Sequence, residues 1–179
     1  YGWLADRFGV NWQLILRDGA IRQRAFPSLM FTRELAGRAE EAIRFYVSVF
    51  RDAEVGDLSR YGPGMEPDRE GTVNYGAFRL GSRWMTAMDS AHQHAFGFNE
   101  GVSLVVTCAD QAEVDYFWER LSDGGSEGNC GWLKDRFGLS WQVVPEALGR
   151  LMSDPARAPR VVEAFMKMSK LVVADLERA

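Results

Sequence analysis

Two kinds of hydrophobic spacing alternate along this chain. The clearest is helical: Val114, Phe117, Trp118 and Leu121 recur at three- and four-residue intervals, Asp110 and Glu113 have the form of a capping box, and Gly124-Gly125 end the run. An earlier helix is predicted over Ala39 to Phe50, where Ala39, Ala42, Ile43, Tyr46, Val49 and Phe50 share a face and Glu40 and Glu41 occupy the first turn. Strand-like runs surround both: Pro27 to Thr32, Glu54 to Arg60, Thr72 to Leu80, Arg83 to Met88 after the Gly81-Ser82 link, and Gly101 to Thr107. The segment from Glu127 to Pro145 supplies the remaining strands, with Leu139, Trp141 and Val143 on one face and Ser140, Gln142 and Val144 on the other. The order is β, α, β, β, β, and after the loop Ser90 to Asn99 it begins again. Glu146 to Met152 and Ala158 to Met168 then read as helices, the Met-rich stripe of the second as packing, and Leu171 to Ala179 as a tail.

One stretch occurs twice. YGWLADRFGVNWQLIL at residues 1–16 returns as CGWLKDRFGLSWQVVP at residues 130–145, with Gly2, Trp3, Leu4, Asp6, Arg7, Phe8, Gly9, Trp12 and Gln13 all repeated. The separation is about one small domain, so residues 1–16 are expected to be the C-terminal strands of a preceding repeat copy, 17–25 a linker, and 26–179 a whole domain. A two-stranded ribbon is marginal alone in water, so this one must dock on the second copy or on a neighbouring chain.

Composition narrows the function. The chain is 46% hydrophobic, enough for an ordinary core, and its formal charge of −4 is interspersed, without the basic stripe that phosphate binding requires. Nucleic acid is not an expected partner. No apolar run approaches the roughly 20 residues of a bilayer crossing and no signal-peptide pattern opens the chain, which points to a cytoplasmic protein without a membrane partner. Cys108 and Cys130 have no metal or redox spacing, consistent with a reducing compartment.

Three segments carry a family resemblance: AEEAIRFYVSVF (39–50), FNEGVSLVVTCADQAEVDYFWERL (98–121) and CGWLKDRFGLSWQVVP (130–145). With two successive βαβββ units, they resemble the PhnB-like, or 3-demethylubiquinone-9 3-methyltransferase-like, branch of the vicinal oxygen chelate superfamily, which includes glyoxalases, dioxygenases and bleomycin-resistance proteins. The resemblance implies an α+β fold of paired βαβββ modules whose curved sheets enclose a cleft. The methyltransferase label gains nothing from the residues, since neither Gly62-Pro63-Gly64 nor Gly124-Gly125 opens a helix after a strand as a cofactor loop does.

Metal-dependent members of the superfamily place His or Glu ligands on strands lining the cleft. Here the first strand offers no His and the expected carboxylate on the last strand is Gln142, repeated as Gln13, so neither a metal nor another cofactor is expected. His92, His94 and Glu100 are the candidate acid/base or rearranged metal-binding groups, set against a reading as solvated loop residues. Asp135 and Arg136, repeated as Asp6 and Arg7, read as turn-holding groups. Cys130 is Tyr1 in the other copy, which argues against a shared thiol activity. Trp84, Met88, Phe96, Phe98, Trp132 and Trp141 are candidate apolar walls of a small-molecule pocket, with Ser28, Asn99 and Gln142 as its polar fixing points. Three functions stay open: a metal-free PhnB-like protein binding a small organic ligand between its modules, a divergent metal-dependent lyase, isomerase or dioxygenase, and a structural module that self-associates or pairs with its own first copy.

Overall fold

The computed structural model describes residues 2–16 and 23–179. The first hairpin consists of β1 (Gly2–Ala5) and β2 (Asn11–Leu14). The first module is β3 (Ser28–Thr32), a 3-10 turn at Arg33–Leu35, α1 (Ala39–Val49), β4 (Ala53–Arg60), β5 (Val73–Leu80) and β6 (Arg83–Ser90). The second is β7 (Ser103–Cys108), α2 (Gln111–Ser122), β8 (Ser126–Glu127), β9 (Trp132–Lys134) and β10 (Ser140–Pro145). After them come α3 (Glu146–Met152), α4 (Ala158–Phe165) and α5 (Val173–Arg178). The expected α+β architecture of two βαβββ modules is therefore present. Most of the expected linker, 17–22, lies outside the described residues.

Both modules are wired alike. The first sheet runs β3-β6-β5-β4 and the second β7-β10-β9-β8, and in each the first and last strands pair in parallel while the rest are antiparallel. Parallel neighbours need a long crossover, and here α1 or α2 with the intervening strands supplies it. The α2 cap forms as expected: the Asp110 carboxylate accepts from the Glu113 amide at 2.9 Å, and the Glu113 carboxylate reaches back to the amide of Ala109. In α1 the buried positions Ala39, Ala42, Ile43, Tyr46 and Val49 repeat the predicted stripe. Full burial of a side chain such as Ile43 contributes about 1.5–3 kcal/mol.

The helix-bearing faces of the two modules meet in one core. Tyr46 packs its ring 5.5 Å from Trp141, Phe31 stands edge-on to Phe137, and Phe50 lies between Phe117 and Trp141. Across that seam the Tyr46 hydroxyl donates to the Asp135 carboxylate at 2.8 Å. A smaller cluster of Leu151, Val161, Leu171 and Leu176 joins the C-terminal helices. The expected tail thus contains α5, and its Leu176 is fully buried; the segment is helical because docking on α3 and α4 replaces the cap it lacks. Of the Met-rich stripe, Met168 packs on this cluster while Met166 is exposed, and α4 ends before both.

Asp135 explains the repeated motif. Its carboxylate accepts from the amides of Phe137 and Leu139 and from the Trp141 indole, fixing the turn through Gly138, whose φ of 80° suits glycine. Asp6 makes the same three contacts with Phe8, Val10 and Trp12, with Gly9 at φ 83°. The registers also coincide: Trp3 faces Gln13 as Trp132 faces Gln142. The two hairpins are the same structure in different surroundings. In the second module, Phe137 and Trp141 are each 2% exposed; their counterparts Phe8 and Trp12 are 76% and 44% exposed.

Candidate functional site

In each sheet one face carries its helix and side chains of alternate residues point to the other. On the first sheet that open face holds Ser28 and Met30 of β3, Thr86 and Met88 of β6 and Tyr75 of β5, which stand beside one another through the pairs Ser28 with Thr86 and Met30 with Met88. The first hairpin lies over this face. Its Trp3, Gln13 and Ile15 complete the wall of a cleft of about 550 Å³, and the Gln13 amide reaches the Met88 sulfur at 3.5 Å. Met30, Met88, Ile15 and Trp3 give it apolar walls; Ser28, Thr86, Asn74, Tyr75 and Gln13 offer hydroxyl and amide groups.

Both histidines line the same cleft. His94 hydrogen-bonds the Ser90 hydroxyl at 2.8 Å through Nε2, and its ring lies against Phe96. His92 is 3.5 Å from the carboxylate of Asp68, whose other oxygen accepts from the Ala91 amide. The two rings therefore have separate partners. Glu100, grouped with them from the sequence, is instead ion-paired with Lys134 of the second module, which holds its carboxyl below the usual range. Among the described residues no three His, Cys, Asp or Glu side chains converge as metal ligands, and the carboxylate of Asp68 at one side of the cleft is engaged by His92 and the Ala91 amide, while Ser28, Gln13 and Met88 offer only neutral donors. The residues do not fit a divalent metal.

The other residues expected at the pocket fall in four places. Ser28 and Met88 are in the cleft. Phe98 is half-buried and packs edge-on against Phe31 at the margin of the core, and Trp141 is sealed in the core with its indole on Asp135, so both serve packing. Phe96 is partly exposed beside His94 and its carbonyl accepts from Thr32; Asn99 folds back to accept from the Gly101 amide; and Trp84 is held through its backbone by Gln23. Trp132 and Gln142 belong to the open face of the second sheet, where Gln142 donates to Ser103. The cleft is thus roofed by the first hairpin rather than by the second module. Met30, Tyr75, Asn74 and Thr86 carried no distinguishing signal except alternation on their strands, whereas Trp3 and Gln13 could have been found by carrying Trp132 and Gln142 through the repeat.

The sequence profile of the 3-demethylubiquinone-9 3-methyltransferase family matches residues 23–144. The chain belongs to that family. The PhnB protein from Bacillus cereus is 34% identical over 69% of this chain and 99% of its own, with a TM-score of 0.62. A Pseudomonas aeruginosa protein of the same fold is 23% identical over 69% of this chain and 98% of its own, at a TM-score of 0.59. No curated protein matches. This PhnB-like chain is a member of the vicinal oxygen chelate superfamily. In it, Gly62 and Gly64 lie between β4 and β5, and Gly124-Gly125 follow α2, so neither glycine pair opens a helix after a strand. No helix among the described residues is long and apolar enough to cross a membrane.

Proposed function

We propose that this PhnB-like protein binds, without a metal, a small and largely apolar organic molecule carrying one or two hydrogen-bonding groups, in the cleft between the first sheet and the first hairpin. The observation that carries the reading is the composition of the 550 Å³ cleft: thioether and aromatic walls around a few hydroxyl and amide groups, the usual make-up of small-molecule sites. Because its wall residues are uncharged apart from Asp68 and the histidines at one side, a strongly charged ligand would lose more hydration than these groups return. A thermal-shift screen of uncharged aromatic and carbonyl fragments tests it. Hits should raise the melting temperature, and Met88→Arg, which fills the cleft, should abolish the shift while leaving the circular dichroism spectrum intact. An absence of hits, or hits indifferent to Met88→Arg, would sink the proposal.

A second reading, favoured by His92 and His94 facing one cleft, is a lyase, isomerase or dioxygenase of the superfamily. In its metal-free form the Ser90-bonded His94 would move a proton at a bound substrate. Near-stoichiometric zinc, iron or manganese in protein purified without an affinity tag, lost on His92→Ala, would favour the metal-dependent form and overturn the metal-free proposal.

A further inference from the structure

One wall of the cleft carries a pair of groups that binding alone does not use. Alternation along β6 sets Thr86, Met88 and Ser90 on the open face, beside Ser28, Met30 and Thr32 of β3. Ser90 lines the cleft at 5% exposure, and its Oγ is 2.8 Å from Nε2 of His94. Both groups are fixed in place. The carboxylate of the adjacent Asp89 takes the amides of Gly37, Ala39 and Val73 on the buried side, which holds the end of β6. The loop that returns His94 to Ser90 is tied by the Ala91 amide to Asp68 at 2.6 Å and by the Phe96 carbonyl to the Thr32 hydroxyl at 3.0 Å, and the His94 ring rests against Phe96. In the tautomer with its proton on Nδ1, His94 accepts from the Ser90 hydroxyl, the arrangement that activates a serine for attack.

We propose that Ser90 is a nucleophile with His94 as its base, and that the cleft hydrolyses small uncharged carboxylic esters. The inference rests on the cleft taking an uncharged molecule. Ser90 Oγ bonds to the ester carbonyl carbon as its proton passes to His94 Nε2; the bond from that carbon to the alkoxy oxygen then breaks, and His94 gives the proton to the departing alcohol. Water, deprotonated by His94, next adds to the acyl group, and Ser90 leaves with its hydroxyl restored. The products are an acid and an alcohol, and nothing is oxidised or reduced. Strand spacing describes the substrate: Met88 follows Ser90 along β6 by about 6.6 Å and Thr86 lies as far again, so the apolar part of the ester covers Met88 and Met30 and a hydrogen-bonding group reaches Thr86 or Ser28. Among the described residues no carboxylate holds the second ring nitrogen of His94, so the pair works as a dyad and needs a good leaving group such as a phenol.

The test incubates the full chain with para-nitrophenyl butyrate and, separately, with an uncharged alkyl fluorophosphonate, which phosphonylates activated serines with loss of fluoride. Nitrophenol should be released over many turnovers, and peptide mass mapping should place the phosphonate on Ser90. Ser90→Ala should remove both signals, and His94→Gln should slow both by about 100- to 10,000-fold. Ser90→Cys separates chemistry from folding: its thiol should react with iodoacetamide faster than Cys130, and adding His94→Gln should remove that advantage. Ser90→Ala should keep the thermal shifts given by fragment hits, whereas Met88→Arg should block both binding and phosphonylation. Fragment hits without phosphonate on Ser90 overturn the ester chemistry and leave the binding proposal standing. Labelling of Ser90 that ignores His94→Gln, or nitrophenol release that survives Ser90→Ala, overturns the dyad. The absence of both hits and labelling overturns the two proposals together.

Discussion

Replacing Asp135 with asparagine should destabilise the protein far more than the same change at Asp6, although the two carboxylates hold identical turns. One oxygen of Asp135 accepts from the Phe137 and Leu139 amides, the other from the Tyr46 hydroxyl and Trp141 indole, all in the shared core. An asparagine must point its NH2 at one of these pairs. Turned toward Tyr46, whose hydroxyl can rotate to accept, it still leaves the Trp141 N–H facing a donor in a buried site. One charge-assisted bond lost, one weakened and one orphaned donor amount to about 3 kcal/mol after allowance for no longer burying a charge. For a domain of this size that lowers the melting temperature by about 6–12 °C. At Asp6 the donors are solvent-exposed and water replaces the lost acceptor, so Asp6→Asn should leave the melting curve in place. Circular dichroism melts at neutral pH decide the matter. Equal shifts for the two variants, or an Asp135→Asn shift within error, would refute the reasoning.

The same pair has a pH signature. Burial raises the Asp135 carboxyl above its ordinary 3.8, outweighing the four donors that pull it down. A raised folded value means that its proton-linked stability is full below 3.8 and is lost as pH rises through the folded value. The gap between wild type and Asp135→Asn should accordingly be widest in acid and narrow toward neutrality.

Glu40 behaves in the opposite sense: Arg60 and Arg44 bring it down to about 2, so its stabilisation is present above 4.5 and fades as pH falls toward 2. Glu40→Gln should cost under about 1 kcal/mol at pH 7, since the arginines are well exposed, with the difference in urea midpoint disappearing in acid. Gly125→Ala should prevent normal folding, because its Cβ would sit 2.0 Å from the Lys134 carbonyl; loss of soluble expression or of dispersed NMR shifts would register it. Burial pushes the Cys108 thiol up to about 12, so a thiol-reactive dye should label native protein at Cys130 and reach Cys108 only after denaturation; mass mapping distinguishes them.

Much of the fold could be read from the chain because burial repeats with the period of each element. The α1 and α2 stripes, the Gly81-Ser82 hairpin and the two faces of β10 follow that rule. The cleft could not be read in the same way. Its floor is made of strand positions brought together across β3, β6 and β5, and its roof comes from a hairpin whose seat depends on packing rather than local spacing. Residue type also misled: Trp141 and Phe98 have the size of pocket walls, but an indole N–H with a buried carboxylate six residues earlier belongs to the core. For α5, the apolar run Leu171 to Val173 without a side-chain cap concealed a helix held by its neighbours.

The parallel pairing at the edge of each sheet governs the order in which the chain can be assembled. The two repeat hairpins and the β5-β6 pair join strands close in sequence, so they can zip within microseconds of becoming available. Strand β3 waits for a partner 58 residues away, and β7 for one 37 residues away. On a ribosome, β3 therefore leaves the exit tunnel long before β6 exists to receive it. Its Leu29 and Phe31 stay uncovered through that interval, and pulse-labelling by hydrogen exchange should find the β3 and β7 amides protected last.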